Sequence, residues 1–149
     1  MSQLLTTFFG VGYLRPASGT WASALAVILA IFLHGVGGFP LLLLATLVII
    51  PIGFVAVKND LATRKDGVTD PSEIVIDEVA GQWLTLALAP PDPLAYGVGF
   101  ALFRLFDIWK PWPVRWADRH LAGGLGVMAD DILAGLYGAA LMAAFVHWR

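Results

Sequence analysis

Long apolar stretches alternate with polar segments along the chain. The clearest stretch covers residues 39–57, nineteen residues without a charge. A helix of that length crosses a hydrocarbon core of roughly 30 Å, because each residue adds about 1.5 Å. The apolar residues form continuous runs without amphipathic spacing, so the pattern predicts helices embedded in a membrane. The four stretches are 21–33, 39–57, 79–103 and 132–148.

The connections between these stretches predict two helical hairpins. Residues 34–38 form a short Gly-rich connection that would fold the first two stretches back on each other. The prolines at 90, 91 and 93 cannot continue a helix, and they divide the third stretch into arms of eleven and ten residues, each short for a span. We therefore predict a second, shallower hairpin. The alternative is one kinked span over 79–103, which would separate Glu78 from Asp107 by the whole membrane.

Composition supports the membrane class and one all-α, compact helical domain over residues 1–149. Hydrophobic residues make up 58% of the chain and charged residues 13%, which is outside the usual soluble range. The charges gather in segments 58–78 and 104–131, apart from Arg15, Asp92 and Arg149. The two hairpins would place both segments on one face, and their Lys and Arg residues make that face cytoplasmic.

Other compositional features exclude several classes of function. The chain has no cysteine, so hydrolysis must use oxygen groups or a metal. The net charge of -2 and the lack of a long basic run argue against nucleic-acid binding. Residues 1–7 contain no basic residue, so we do not expect a removable signal peptide.

Acidic residues occur in three groups where polar segments meet apolar stretches. Two carboxylates about 4 Å apart repel by roughly 4 kcal/mol at an effective dielectric of 20, so a converging set needs protons or cations. Oxygen ligands favour magnesium or manganese, and the scattered histidines give no zinc spacing. One of Asp130 and Asp131 could instead be a helix N-cap. The groups are Asp77 with Glu78, Asp107, and Asp130 with Asp131.

Basic residues accompany the middle group. Arg104, Asp107 and Lys110 recur every three residues, which predicts one face of a helix. Arg104 and Lys110 could bind an anionic ligand while Asp107 holds a metal or positions a water molecule; surface ion pairing is the alternative. His120 is a minor candidate for proton transfer. The charged positions of residues 58–70 are typical of a solvated loop.

The chain resembles the bacterial phosphatidylglycerophosphatase A family over nearly its whole length, and the matching stretches are residues 10–23, 70–81 and 103–135. The third contains Phe-Arg-Leu-Phe-Asp-Ile-Trp-Lys-Pro and Ala-Asp-Asp-Ile-Leu-Ala-Gly in the family's order and spacing. The first departs from the family's common Ala-Pro-Gly-Thr-x-Gly-Ser, since Ser18 replaces proline and Ala22 replaces glycine. This departure affects the expected shape of the first loop. The acidic motifs are intact, so we still expect an active enzyme.

The resemblance implies an all-helical, magnesium-dependent hydrolase of the bacterial inner membrane. It would remove the terminal phosphate of the lipid phosphatidylglycerophosphate, giving phosphatidylglycerol in phospholipid biosynthesis. By position, the family's acidic residues are Asp77, Glu78, Asp107, Asp130 and Asp131, its basic residues are Arg104 and Lys110, and Thr20 is a polar residue of its first motif.

Our mechanistic hypothesis follows from this assignment. Glu78, Asp130 and Asp131 would bind Mg²⁺, with Asp77 nearby. Arg104 and Lys110 would neutralise phosphoryl oxygens, with Thr20 beside the substrate phosphate. Asp107 could be a ligand, the base for water, or a nucleophile, and we favour direct attack by water because the usual Asp-x-Asp nucleophile signature is absent.

Two rival functions use the same carboxylates. A membrane cation carrier would need charged groups near the bilayer midplane, whereas these lie at the ends of apolar stretches. A transferase of phospholipid headgroups would carry Asp-Gly-x-x-Ala-Arg, but Asp66-Gly67 continues as Val-Thr-Asp-Pro. The sequence therefore favours hydrolysis.

Overall fold

The structure is a computed structural model that describes residues 2–148. Residues 2–148 contain helices and no β-strand, so the predicted all-α class is confirmed. A 3₁₀ turn at Val11–Tyr13 follows the first helix. The helices are α1 (Ser2–Thr6), α2 (Ser18–Thr63), α3 (Ile76–Leu86), α4 (Pro93–Trp109), α5 (Val114–His120) and α6 (Gly123–Trp148).

Helix α2 folds back on itself at Gly38, where φ is 64° and ψ is −162°. A residue with a side chain rarely adopts this φ, so glycine allows the reversal. A Cβ at Gly19 would collide with Glu78, and one at Gly53 would lie 3.6 Å from Ile76. Both positions therefore reach the first turn of α3, although a straight helix would separate them by about 50 Å. The predicted first hairpin is confirmed.

Helices α3 and α4 form the second predicted hairpin. A Cβ at Gly81 would collide with Phe103, and one at Gly99 would collide with Leu86, so the two helices run antiparallel. Asp92 ends the connection because its carboxylate accepts a hydrogen bond from the Ala95 amide at 3.0 Å, capping α4. The alternative of one kinked span is wrong. The first turn of α3 lies at the same end as the last turns of α4.

Small residues bring α3 and α6 into close contact. A Cβ at Gly135 would lie 2.6 Å from the Gly81 carbonyl oxygen. The Thr85 hydroxyl lies 3.1 Å from the Gly81 carbonyl and 3.2 Å from that of Gly135. On the other side of α3, the Trp83 indole N–H donates to the Ala26 carbonyl at 2.9 Å. Close backbone approach with buried polar links is typical of helix packing in membranes.

By length and composition, α2 and α6 are long and apolar enough to cross a membrane. Many of their large apolar side chains are exposed, which a protein in water would avoid over so wide a surface. Ile28 is 62% exposed, Phe32 65% and Leu47 60%. This surface favours a membrane protein.

Two local expectations are wrong. Helix α6 begins at Gly123, so Asp130 and Asp131 lie inside the helix and neither is an N-cap. The glycine-rich segment forms the start of this helix, and Gly124 packs against the Lys58 backbone, where a Cβ would lie 2.9 Å from the Lys58 nitrogen. Residues 58–70 are also not simply a solvated loop. Asp60 is only 4% exposed and accepts hydrogen bonds from Arg64 at 3.1 and 3.2 Å.

Candidate functional site

Three carboxylates converge where α3 meets α6. Asp77 and Glu78 lie in the first turn of α3, and Asp131 projects from the third turn of α6. One carboxylate oxygen from each residue lies within 4.8 Å of the other two. Asp77 is 8% exposed and Asp131 is 4% exposed. The helices therefore bring together residues that are more than fifty positions apart in the chain.

This cluster has unused hydrogen-bonding capacity. The buried Asp77 Oδ1 and Glu78 Oε2 have no hydrogen-bond partner among the described residues. The N-terminus of α3 stabilises negative charge there, but only by up to ~2 kcal/mol, less than the repulsion among three carboxylates. A divalent cation with oxygen ligands would resolve both problems. The donor set and its unpartnered oxygens fit Mg²⁺ or Mn²⁺.

An arginine–aspartate pair adjoins the cluster. On α4, the Arg104 guanidinium donates to the Asp107 carboxylate, and both side chains are largely buried. A Cβ at Gly19 would collide with the Glu78 carboxylate and lie 3.1 Å from Arg104 Nη1. Asp107 also interacts electrostatically with Glu78 and Asp131. A cation and four carboxylates thus meet at one end of α2, α3, α4 and α6.

Lys110 lies outside this pairing. It caps the C-terminus of α4 in a left-handed conformation (φ 47°, ψ 63°), so the predicted shared helix face with Arg104 and Asp107 is wrong for Lys110. Its Nζ lies 2.5 Å from Asp118 and 2.5 Å from Asp130. Partial burial acts to lower the pKa of Lys110, but these hydrogen bonds outweigh it and raise the pKa above its usual range.

A polar cavity of about 230 Å³ adjoins Asp130. Asp70 and Asp118 also line it, as do residues that begin α6. Burial raises the pKa of Asp70, although the nearby Lys110 charge opposes that shift. At roughly 30 Å³ per molecule, the cavity has room for several waters beside Asp130.

The structure thus separates the residues that the sequence singled out. Asp130 faces Lys110 while its neighbour Asp131 faces the α3 carboxylates, because successive residues point in different directions on a helix. Thr20 is half-buried and directly follows Gly19 in the first turn of α2. His120 lies apart, with its Nδ1 2.9 Å from the Trp116 carbonyl and its ring stacked on Trp116.

Sequence reasoning missed two buried polar residues one turn beyond the carboxylate cluster. Ser23 and Gln82 are both fully buried, and the Ser23 hydroxyl and both Gln82 amide atoms have no partner among the described residues. They lie four positions beyond Gly19 and Glu78, on helices that run in parallel. The sequence does contain a signal for Gln82, because a glutamine is unusual inside the apolar run that follows Glu78.

The chain is similar to a known protein family over most of its length. Residues 4–146 match the family described as phosphatidylglycerophosphatase A. A Haemophilus influenzae protein with that name is 37% identical over 147 residues, covering 98% of this chain and 89% of the relative. The Escherichia coli protein of the same name is 46% identical over 87 residues, covering 57% of this chain and 51% of the relative.

A third relative carries a different name. A Bacteroides thetaiotaomicron protein, provisionally named a phosphatidylinositol-3-phosphatase, is 38% identical over 144 residues. The alignment covers 94% of this chain and 90% of the relative. No solved structure matches the chain.

Proposed function

This chain belongs to the phosphatidylglycerophosphatase A family, and we propose that it hydrolyses phosphatidylglycerophosphate to phosphatidylglycerol and inorganic phosphate. The observation that carries the proposal is the largely buried cluster of Asp77, Glu78 and Asp131, which lies beside Arg104 and contains carboxylate oxygens without a hydrogen-bond partner among the described residues. A site for a phosphomonoester needs both anionic metal ligands and a cation for phosphoryl oxygens.

We propose that the activity depends on Mg²⁺ held by Asp77, Glu78 and Asp131. When bound, the ion would neutralise charge on phosphoryl oxygens and lower the pKa of water. Asp130, which was expected to be a ligand too, is engaged by Lys110 at 2.5 Å. Its proposed role is therefore to hold Lys110 beside the cluster.

The basic residues would bind the substrate phosphate. Arg104 presents a planar set of N–H donors suited to phosphoryl oxygens, and Asp107 fixes its orientation. Lys110 would contact the phosphate as a point charge, with Thr20 as a neutral donor. Losing one such donor in a transition state commonly costs ~3 kcal/mol, or ~100-fold in rate.

We propose that water attacks phosphorus directly. The water oxygen forms the new bond to phosphorus, the bond to the glycerol oxygen breaks, and that oxygen leaves with the proton that the attacking water has given up. Asp107 is the candidate to accept the proton from water, since it adjoins the cluster and is largely buried.

We also propose a multi-pass protein of the bacterial inner membrane with this site facing the cytoplasm. The far connections, residues 34–38 and 90–93, contain no Lys or Arg, whereas Arg64, Arg104 and Lys110 lie at the end that holds the site. The excess of positive charge supports a cytoplasmic orientation for that end.

A cation carrier is less well supported. Glu78 lies level with Gly19, which is in the first turn of α2. The far reversal at Gly38 is nineteen residues away, or about 28 Å along the helix. The carboxylates therefore lie at one end of the bundle, whereas a carrier places its ion site near the midplane.

The test is phosphate release from phosphatidylglycerophosphate by the detergent-purified protein, with Mg²⁺ and with a chelator. Release that requires Mg²⁺ supports both substrate and cofactor. Release that persists in chelator rejects the metal dependence alone. A folded protein that releases no phosphate from this lipid but does so from phosphatidylinositol 3-phosphate rejects the proposed substrate.

A further inference from the structure

An apolar groove of about 580 Å³ runs between the first arm of α2, residues 18–37, and α4. Its walls include Ala24, Ile28 and Ile31 from α2, and Tyr96, Gly97 and Phe100 from α4. The volume is within the range of 300–1,000 Å³ found for ligand sites. Ile28 is 62% exposed, so the groove opens to the surroundings of the bundle.

One end of this groove continues into the candidate site. Thr20 precedes Ala24 by four residues, and Arg104 follows Phe100 by four, so each extends its wall by one helical turn. Gly19 approaches Arg104 closely at this level. The groove therefore ends at the cation proposed to bind phosphate.

A polar contact marks the other end. The His34 Nδ1 lies 2.7 Å from the Tyr96 hydroxyl and joins the two helices there. From Thr20 to Ile31, the last residue of α2 that lines the groove, the helix rises by about 16 Å. One leaflet of a bilayer contributes about half of a hydrocarbon core of roughly 30 Å. The groove is thus long enough for the part of an acyl chain within one leaflet.

A second apolar groove of about 580 Å³ provides a comparison. Pro51, Ile52 and Val55 line it, and it reaches Asn59 and Ser2. Among the described residues, no Lys or Arg lines either groove. Volume and apolar character do not distinguish the two grooves, but the first continues by one helical turn to the largely buried Arg104.

We propose that the groove between α2 and α4 seats one acyl chain of the lipid substrate while the phosphate of its headgroup lies at Arg104. This inference rests on the proposed function. Lipid tails are as apolar as the groove, so binding there adds little affinity. Its contribution is to orient the headgroup at the carboxylate cluster, where a small displacement of reacting atoms costs a large factor in rate.

Gly97→Trp tests the groove from the α4 wall and Ile28→Trp from the α2 wall. Gly35→Trp is the matched control, because a Cβ at Gly97 or Gly35 meets no atom of residues 2–148 within 4 Å. Activity is measured on the long-chain lipid and on a water-soluble headgroup analogue without acyl chains. We expect the ratio of lipid to analogue turnover to fall about tenfold in both groove variants. Gly35→Trp should keep the wild-type ratio.

A binding measurement separates this inference from the proposed function. A lipid phosphomonoester with a photoreactive acyl chain is cross-linked to the wild-type protein, and the labelled peptides are identified. Labelling concentrated at residues 24–31 and 93–100 supports the groove even without turnover. Equal labelling of residues 51–59 overturns it, as does an unchanged activity ratio in both variants. A dimer in detergent that Gly97→Trp dissociates would also overturn it, since a second copy would then occupy the groove.

Discussion

Gly19 packs directly against the Glu78 carboxylate, leaving no room for even a methyl group between α2 and α3 at this level. A Cβ at Gly19 would also lie 3.1 Å from Arg104 Nη1. Gly19→Ala must therefore displace the carboxylate or the guanidinium. We expect activity to fall about 100-fold, because both groups are proposed to contact the reacting phosphate or its metal. Steady-state phosphate release checks this, with Gly35→Ala as the control. Near-normal activity would contradict this prediction and show that the Glu78 carboxylate can move aside without loss of function.

Asp131→Asn should abolish the increase in melting temperature that Mg²⁺ gives the wild-type protein. Wild-type protein should melt at a higher temperature with Mg²⁺ than with chelator. At an Mg²⁺ concentration of 100 times the Kd, binding adds about 2.7 kcal/mol to the free energy of unfolding. The variant removes one of three converging charges, so its melting temperature in chelator should equal or exceed that of wild type. Asp66→Asn, at an exposed loop position, is the control. A variant that still gains stability from Mg²⁺ would place the ion elsewhere.

Lys110 and Asp130 allow a double-mutant cycle. Lys110→Met leaves Asp130 without its 2.5 Å partner, and we expect a loss of about 1–3 kcal/mol in free energy of unfolding. Adding Asp130→Asn to this variant should restore part of the loss, because the unpaired charge disappears. Unfolding titrations in detergent measure both. If Asp130→Asn alone removes the stabilisation by Mg²⁺, then Asp130 is a metal ligand and its contact with Lys110 is secondary.

Much of the architecture could be predicted because it depends on local signals. A break such as Pro90-Pro91-Asp92-Pro93 ends a helix regardless of its surroundings, and the Gly-rich connection at 34–38 permits a reversal. The convergence of Glu78 and Asp131 could also be predicted, because the two hairpins place the ends of the apolar stretches that carry these residues on the same side of the membrane. None of these inferences required the direction of a side chain.

The remaining features depend on packing between helices. Asp130 and Asp131 are identical in type and adjacent, yet the rotation of α6 directs only Asp131 to the cluster. Lys110 does not share the helix face of Arg104 and Asp107, because Pro111 follows it and α4 ends there. Burial of Asp60 depends on its contact with Arg64, which in turn binds Glu73 from the next segment. Sequence spacing alone does not contain these tertiary contacts.

Gln82 and Thr85 should respond oppositely to apolar replacement. Both amide atoms of the fully buried Gln82 have no partner among the described residues, so Gln82→Met removes an uncompensated polar group. We expect an equal or higher melting temperature. The Thr85 hydroxyl is hydrogen-bonded between α3 and α6, and Thr85→Val should lower stability by about 0.5–1.5 kcal/mol. A large loss with Gln82→Met would indicate a buried water or ligand that the amide holds.

Glu73 should make stability depend on pH at the site-bearing end of the protein. The hydrogen bond from Arg64, at 2.9 Å, lowers the pKa of Glu73 below its usual value of 4.5, although burial opposes the shift. A carboxylate with a lowered folded pKa stabilises the protein fully above pH 4.5, and this contribution is lost as the pH falls through the folded pKa. Glu73→Gln removes it, so the melting temperature of the variant should fall less steeply below pH 4.5. Asp66, 3.6 Å from Arg64 and 52% exposed, provides the control Asp66→Asn, which should keep the wild-type profile. Parallel curves for Glu73→Gln and wild type would mean that the pair with Arg64 does not respond to pH in this range.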